Sequence, residues 1–387
     1  MAIDNKDKKI LNVPHLRFPE FSGEWKMERL DKIATLSKGI GISKEQLSNG
    51  GEPCILYGEL YTKYKSEIIK EIYSKTDIDN SKLKKSKAND VIIPCSGETA
   101  VDIATARCVP FDNILLGGDL NVISLHQYDG AFMSYQLNGK RKYDIAKVAQ
   151  GVSVVHLYGE HLKTIKTCNP TLQEQKKIAK LLSLLDERIA TQNKIIEDLK
   201  KLKSAISLKL LHSDSWEQFR IKDIASIGRG RVISSIEISQ QENPLYPVYS
   251  SQTSNDGIMG YLDDFMFEGE YISWTTDGAN AGTVFYRNGK FNCTNVCGLL
   301  KLKKGFDAHF VSLVLAEATK RYVSTNLANP KLMNNTMGDI QICLPQLEDQ
   351  KRISVVFRKL QGLLETHNTL IVKYSKQKQY LLSQMFI

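Results

Sequence analysis

The chain has 387 residues, of which 42% are hydrophobic and 25% charged, so it is long enough to form two ordinary globular domains. Its net charge of +9 suits a polyanionic partner. The sequence contains no run of about 18 apolar residues, which is the length that a membrane-spanning helix would need. Seven cysteines without paired spacing, and a start (MAIDNKDKKI) without the apolar core of a signal peptide, argue against a secreted disulfide-bonded protein. We therefore expect a cytoplasmic location.

The chain opens with a polar stretch and then begins a repeat. Residues 1–20 predict a flexible lead-in. Trp25–Ala34 predicts a short amphipathic turn of helix, and Trp216–Ala225 echoes it, because Trp, Arg, Ile, Ala and a following Gly recur at a constant offset of 191. Recurrence of this kind indicates a duplicated module.

Between these repeated segments, the two halves share landmarks but few residues. Ile55–Glu59 parallels Pro247–Ser251, and Val91–Gly97 parallels Tyr271–Gly278; in each case an extended apolar run ends in small or polar residues. A frame that repeats while its loops diverge predicts two versions of one mixed α/β module, each presenting different side chains.

Two long segments, Leu172–Leu211 and Leu347–Phe386, repeat each other at an offset of 175. Steps alternating four and three residues from Ile178 and Ile353 stay apolar except at two shared positions, Gln192/His367 and Lys203/Lys378. This 3.5-residue period is the seam of a coiled coil, and polar residues on a seam fix register and partner. The predicted seam includes Leu185, Ile189, Ile196, Leu199, Leu360, Leu364, Ile371 and Tyr374.

The simplest partner for each long helix is the other one; the alternative is that each packs separately on its own domain. Each segment carries a net charge of +4, so the two hold eight of the nine net positive charges, either for a polyanion or as a solvated face. We predict a division into residues 1–171, 172–212, 213–346 and 347–387: module, helix, module, helix.

At this level the chain resembles the specificity subunit of type I DNA restriction-modification systems. The resemblance is carried by Val13–Trp25 (VPHLRFPEFSGEW), by the helix starts Pro170–Ile178 and Pro345–Ile353, and by Asn329–Asn335 (NPKLMNN). It covers essentially the whole chain, including its duplicated order.

The resemblance implies an α/β (mixed α+β) fold with an internal pseudo-twofold repeat, in which two target recognition domains are joined by two long antiparallel helices. It implies a non-catalytic subunit that binds double-stranded DNA, each domain reading half of a bipartite asymmetric site. The implied partners are two modification (methyltransferase) subunits, on which S-adenosylmethionine is expected for adenine N6 methylation, and in some complexes two restriction (translocase/nuclease) subunits. No cofactor is expected on this chain.

Candidate DNA contacts lie in the loops at the shared landmarks, where amide, hydroxyl and charged groups can pair with base edges or phosphates, although turn formation explains many such residues equally well. In the second module they are Tyr249, Ser250, Ser251, Gln252, Asn255, Thr275, Asp277, Asn280, Lys331 and Asn334. In the first they are Tyr57, Glu59, Ser96, Glu98, Lys140, Arg141, Lys142 and Ser153, with Lys38 and Arg229 as phosphate candidates.

Two rival functions stay open. Asn243–Tyr246 (NPLY) resembles the Asn-Pro-Pro-Tyr/Phe motif of amino-methyltransferases, but its third residue is Leu and no Gly-rich cofactor loop precedes it, so a turn before a strand is favoured. Cys293 and Cys297 lack the second Cys/His pair of a zinc site. The rivals are a self-contained DNA adenine methyltransferase and a coiled-coil scaffold without DNA readout.

Overall fold

The structure is a computed structural model that describes residues 12–324 and 329–387. Residues 1–11 of the predicted lead-in lie outside the described part. The chain forms two compact units, the first made of Met1–Lys194 with Asn368–Ile387 and the second of Ile195–His367. We call residues 12–171 the first module and residues 213–346, apart from 325–328, the second module.

The first half of the chain contains the elements that build the first module and the first long helix. In chain order they are β1 (Lys26–Arg29), α1 (Leu30–Ile33), β2 (Ala34–Lys38), β3 (Leu47–Ser48), β4 (Glu52–Ile55), α2 (Glu59–Thr62), β5 (Ser74–Thr76), β6 (Lys84–Lys85), β7 (Asp90–Pro94), β8 (Ser96–Gly97), α3 (Ala100–Ile103), β9 (Arg107–Val109), β10 (Leu115–Leu116), β11 (Leu120–Leu125), α4 (Gly130–Asn138), α5 (Lys142–Val148), β12 (Val155–His156), α6 (Gly159–Lys163), β13 (Lys166–Asn169) and α7 (Leu172–Leu210).

The second half repeats this order with fewer elements. They are β14 (Glu217–Arg220), α8 (Ile221–Ile224), β15 (Ala225–Arg229), α9 (Ser235–Ser239), β16 (Tyr246–Tyr249), β17 (Ile258–Leu262), β18 (Phe267–Glu268), β19 (Tyr271–Thr275), β20 (Val284–Arg287), β21 (Lys290–Cys293), β22 (Cys297–Leu302), α10 (Ala308–Ala318), α11 (Asn334–Asp339), β23 (Gln341–Leu344) and α12 (Leu347–Gln384).

Each module contains the same three sheets in the same relation to the sequence. In the first module the order β2-β11-β7-β9 forms an antiparallel sheet, β4 and β10 form the parallel centre of a second sheet, and β1 pairs with β13. In the second module the corresponding sheets are β15-β22-β19-β20, a sheet with β16 parallel to β21 at its centre, and β14 with β23. The predicted duplicated, mixed α/β fold is confirmed.

One local prediction was wrong. Trp25–Ala34 is helical only over Leu30–Ile33, because Lys26–Arg29 pairs antiparallel with Lys166–Asn169 as a strand. Hydrogen bonds to a segment some 140 residues away therefore decide this backbone, and the local apolar spacing does not. Its echo behaves identically, with Glu217–Arg220 paired to Gln341–Leu344.

Within each unit, the portions of α7 and α12 that belong to it lie antiparallel. In the first unit Lys378 Nζ lies 2.6 Å from Asp186 Oδ1, and in the second Lys203 Nζ donates to Gln361 Oε1 at 3.1 Å. The two residue numbers sum to 564 in both pairs, so the helices keep one register at both places. Of the predicted seam, Leu185, Ile196, Leu360 and Leu364 are buried, and Ile189, Leu199, Ile371 and Tyr374 are half-buried.

The ends of the two helices also pack on the modules. In the first unit Leu182 and Leu381 share a core with Trp25 and Phe132, and in the second Phe357 joins the core around Trp274. The sequence left coiled-coil pairing and packing on a domain as alternatives. In the structure one apolar stripe on each helix makes both kinds of contact.

A repeated glutamine explains how each long helix joins its module. Gln175 Oε1 accepts from Asp129 N at 2.9 Å while its Nε2 donates to Pro170 O at 2.8 Å. Gln350 does the same with Asp307 N and Pro345 O, both at 2.9 Å. Since both glutamines are buried, each amide satisfies main-chain groups that would otherwise lose their hydrogen bonds.

Candidate nucleic-acid interface

In the second module, hydrogen bonds join five loop segments into one polar surface. Thr276 N donates to Ser251 Oγ at 3.1 Å, and Asn280 Nδ2 donates to Thr253 Oγ1 at 3.1 Å. Arg229 Nε donates to Asn334 Oδ1 at 2.9 Å. We call this surface the second-module loop cluster; it comprises residues 229–231, 250–257, 275–283, 293–296 and 330–334.

A repeated glycine allows the chain to enter these loops. A Cβ at Gly230 would lie 1.5 Å from Cys293 O, and one at Gly39 would lie 1.9 Å from Gly117 O. Both glycines follow the end of the strand that borders the antiparallel sheet, β15 or β2. Close backbone approach, which only glycine permits, therefore accounts for the recurrence seen in the sequence.

Most of the second-module candidates reach the surface of this cluster. Asn255, Asn280 and Lys331 are exposed, whereas Ser250, Ser251, Gln252, Asp277, Asn334 and Arg229 are half-buried. Amide and hydroxyl groups held in fixed positions, with a few charges, can hydrogen-bond to base edges and phosphates. The DNA-binding role of these residues stays a prediction.

Two second-module candidates serve the loops instead. Thr275 is only 1% exposed, and its Oγ1 donates to Asn280 O and accepts from Thr283 N at 3.0 Å, so in this structure its hydroxyl holds the loop together. Tyr249 is half-buried, and its ring lies 3.6 Å from the guanidinium of Arg287. Burial raises the pKa of Tyr249, so its hydroxyl stays neutral.

The first module gathers its candidates differently, around a cleft of about 680 Å³. Tyr57, Ser96, Glu98 and Ser153 line it, so the structure brings together four candidates from three separate parts of the sequence. Carboxylates accept from cytosine amino groups and hydroxyls pair with several base edges, which is the chemistry such a cleft offers to DNA.

Residues that the sequence did not single out complete this cleft. Tyr61, Asp102 and Arg107 line it as well, because α2, α3 and β9 meet there. Tyr61 OH donates to Ser96 O at 2.9 Å, and burial raises the pKa of this hydroxyl. No local pattern marks these three positions, since each acquires its place through tertiary packing.

Some first-module candidates lie elsewhere. Glu59 is 7% exposed, and its carboxylate accepts from Leu56 N at 3.0 Å and from Lys63 Nζ at 2.7 Å, so it is held inside the module. Arg141 is half-buried, donates to Ile387 O at 2.5 Å and pairs with Asp144. The DNA-binding role of these two residues stays a prediction. The remaining candidates lie outside the cleft lining: Lys38, Lys140 and Lys142.

The other motifs have structural explanations. Asn243 N donates to Asp263 Oδ1 at 2.9 Å in a turn that leads into β16, as the sequence favoured, and Leu245 is 71% exposed. Cys293 and Cys297 are buried in an apolar cluster. Within residues 12–324 and 329–387, no group of three or more His, Cys, Asp or Glu could hold a metal ion, and no helix is long and apolar enough to cross a membrane.

Comparison with known proteins identifies the family. The family described as type I restriction modification DNA specificity domain matches residues 22–201 and 213–373, which is most of the chain and both of its halves. The chain belongs to this family. As a family member it contains two specificity domains in tandem, and their order agrees with the duplicated fold.

Relatives are consistent with this membership, and a solved structure has a similar fold. A Mycoplasma pneumoniae protein described as a type I specificity subunit is 37% identical over 225 residues, covering 56% of this chain and 93% of the relative. The specificity subunit of the type I restriction enzyme MpnII from the same organism is 41% identical over 177 residues, covering 44% and 53%. The crystal structure of a type I restriction-modification S subunit from M. genitalium has a similar fold, with a TM-score of 0.72 at 19% identity over 97% of this chain and 99% of that one.

Proposed function

We propose that this specificity-family chain is the DNA-recognition subunit of a type I restriction-modification complex and is not itself a catalyst. The observation that carries the proposal is the repeated frame with unlike loops: both modules share their sheets, but one presents a cleft and the other a loop cluster. A protein that must read two different short sequences needs one scaffold used twice with different side chains.

Each module is proposed to read one half of a split, asymmetric site. The first-module cleft offers the carboxylates Glu98 and Asp102, which accept hydrogen bonds from cytosine amino groups. The second-module loop cluster offers the amides Gln252, Asn255 and Asn280, which suit adenine. The difference in chemistry supports recognition of two unlike half-sites.

The two long helices are proposed to set the spacing between the half-sites. α7 has 39 residues and begins in the first unit and ends in the second, and α12 has 38 residues and runs the other way. At about 1.5 Å per residue each spans roughly 57 Å, which exceeds one DNA turn of about 34 Å. Two helices in one register resist both stretching and rotation, so they can define a fixed gap.

The same helices are proposed to dock two modification subunits, which methylate adenine N6 with S-adenosylmethionine and on which that cofactor is expected. Large apolar side chains remain exposed along them, among them Leu202 (48%), Leu208 (78%), Val372 (53%) and Tyr380 (59%). Exposed apolar groups on a long helix are typical of protein interfaces. Restriction subunits would join the same complex.

The test is a map of methylated adenines in a genome with and without this gene, and then with single variants. Glu98→Ala should relax discrimination in one half-site only, and Asn280→Ala in the other only, each costing about 1–3 kcal/mol on the native site. Each variant is the control for the other. Equal losses on all DNA sequences would assign the residue to backbone contact, and methylation independent of this gene would refute the function.

The rival of a self-contained methyltransferase has a direct test. We expect purified chain to show no binding of S-adenosylmethionine by calorimetry until modification subunits are added. Binding by the isolated chain would favour the rival.

A further inference from the structure

A buried arginine lies beneath the second-module loop cluster. Arg287, at the end of β20, is 2% exposed. Its Nε donates to Ser273 Oγ, its Nη1 to Asp256 Oδ2 and its Nη2 to Asp256 O, each at 2.9 Å. The guanidinium lies 3.6 Å from the ring centroid of Tyr249 and 4.4 Å from that of Phe285. Two aromatic rings therefore lie against the guanidinium, and all three of its nitrogens donate hydrogen bonds.

The loop that Arg287 holds has an unusual backbone. Asn255, Asp256 and Gly257 are consecutive residues in the left-handed region, with φ of 48°, 52° and 81°. Two consecutive non-glycine residues in this region carry a conformational cost, although Asn and Asp tolerate it better than other residues, so contacts around the turn help to fix its shape. Arg287 bonds both the side chain and the main-chain oxygen of the central residue, and Ser250 N donates to Gly257 O at 3.0 Å, so both residues tie this turn to the sheet.

The same loop carries candidate base contacts. Gln252 lies just before the turn and Asn255 within it, and both donate to Ile258 O, at 2.7 and 3.4 Å. Thr253, between them, accepts from Asn280. The position of these amides therefore depends on the shape that the turn takes.

Charge gives Arg287 a second task. The side chain of Asp256 is 69% exposed, although its partner is 2% exposed. A carboxylate on a surface that faces phosphates would repel them, and a cation bonded to it from beneath neutralises that repulsion. Because Arg287 is itself buried, it cannot contact a phosphate directly.

We propose that Arg287 is a positioning residue for DNA readout by the second module: it acts through the turn at Asn255–Gly257 and does not touch DNA. The inference rests on the proposed function and deepens it by naming the residue that fixes the loop carrying Gln252 and Asn255. A purely structural arginine would affect stability alone, whereas a positioning arginine affects the choice of bases.

The test uses the full chain assembled with its modification subunits, and methylation rates on duplexes that carry single base changes in either half-site. Arg287→Met, which keeps the volume but loses the bonds, should reduce discrimination in the second-module half by about fivefold or more at the affected positions and leave the other half unchanged. Arg287→Lys should reduce discrimination by an intermediate amount, because an ammonium group cannot reproduce the planar hydrogen-bonding geometry of the guanidinium. Asp256→Asn should give the same pattern, more weakly, with Arg287 still in place.

Val314→Ala is the matched control. Val314 is buried in the core of the same module, on α10, so its truncation lowers stability but should leave discrimination as in the wild type. Unchanged discrimination in both Arg287→Met and Asp256→Asn, or equal loss in both half-sites, would overturn the inference. If the wild-type complex itself showed no discrimination, the proposed function would fail instead.

Discussion

The paired lysines of the two helices permit a prediction with an internal control. Lys378 and Lys203 occupy equivalent positions in the repeat, yet their surroundings differ. Lys378 Nζ lies 2.5 Å from Glu67 Oε2 and 2.6 Å from Asp186 Oδ1, with the three side chains 15%, 11% and 5% exposed. Lys203 makes one exposed hydrogen bond to a neutral amide.

The magnitudes follow from burial. Lys378→Met leaves two carboxylates facing each other away from solvent, and loss of one partner from a buried ion pair costs about 3–5 kcal/mol. Lys203→Met removes one exposed hydrogen bond and should cost less than about 1 kcal/mol. Burial raises the pKa of Glu67 even though Lys378 opposes that shift.

The stability that Glu67 contributes changes with pH in a definite direction. An acid whose pKa is raised on folding binds more protons in the folded state, so its contribution to stability falls as the pH rises through the interval between the two pKa values. Without Lys378 that interval widens, because its attraction for the carboxylates is gone. The deficit of Lys378→Met should therefore shrink as the pH falls and Glu67 becomes protonated.

Hydrogen exchange followed by mass spectrometry is the appropriate assay, because a chain with two units does not unfold in one step. Lys378→Met should accelerate exchange in α4 and in the first half of α7 by roughly 10²- to 5 × 10³-fold at neutral pH. Lys203→Met should leave the second unit nearly unchanged. Equal effects of the two variants, or a deficit for Lys378→Met that grows in acid, would refute the reasoning.

Three further predictions concern single side chains. Gln175→Ala should destabilise the first unit, and Gln350→Ala the second, by about 1–3 kcal/mol each, because each leaves buried main-chain groups unpaired; unit-resolved hydrogen exchange measures this, and an effect on the wrong unit would contradict it. Gly39→Ala should disrupt the first module because its Cβ would meet Gly117 O, whereas Gly41→Ala, with nothing within 4 Å, should be tolerated in thermal unfolding. Burial, followed by the charge of Arg358, lowers the pKa of His309, so the unfolded state binds more protons than the folded state. The second unit should therefore lose stability as the pH falls below about 6.5. His309→Gln should remove that pH dependence, and an unaltered pH profile of stability in this variant would argue against the assignment.

The sequence predicted those features that repeat or have a period. The seam positions of α7 and α12, from Leu185 to Tyr374, follow from a 3.5-residue apolar period. This is the spacing at which successive side chains of one helix face its partner. The recurrence of Gly39 at Gly230 was visible in the sequence as part of the repeat, although the close approach that requires glycine there is to distant residues, Gly117 and Cys293.

What the sequence did not predict depends on contacts between distant segments. Glu59 reads as a loop carboxylate, but it lies in the interior because Leu56 N and Lys63 donate to it. Arg287 and Asp256 are 31 residues apart and have no spacing rule that would pair them. Most of the candidate loop residues were brought together by the fold, whereas which of them face outward was decided by packing.

The most direct measurement of the proposed spacing role is the gap of the recognised site after both helices are lengthened. One heptad added after Lys194 in α7 and one before Leu370 in α12 would keep the seam in phase, since these positions lie opposite in the antiparallel register. Seven residues add about 10 Å, or roughly three base pairs of DNA. Methylation mapping of the assembled complex should show both half-sites unchanged and a longer gap between them, whereas an unchanged gap with weaker methylation would contradict the proposal that the helices set the distance.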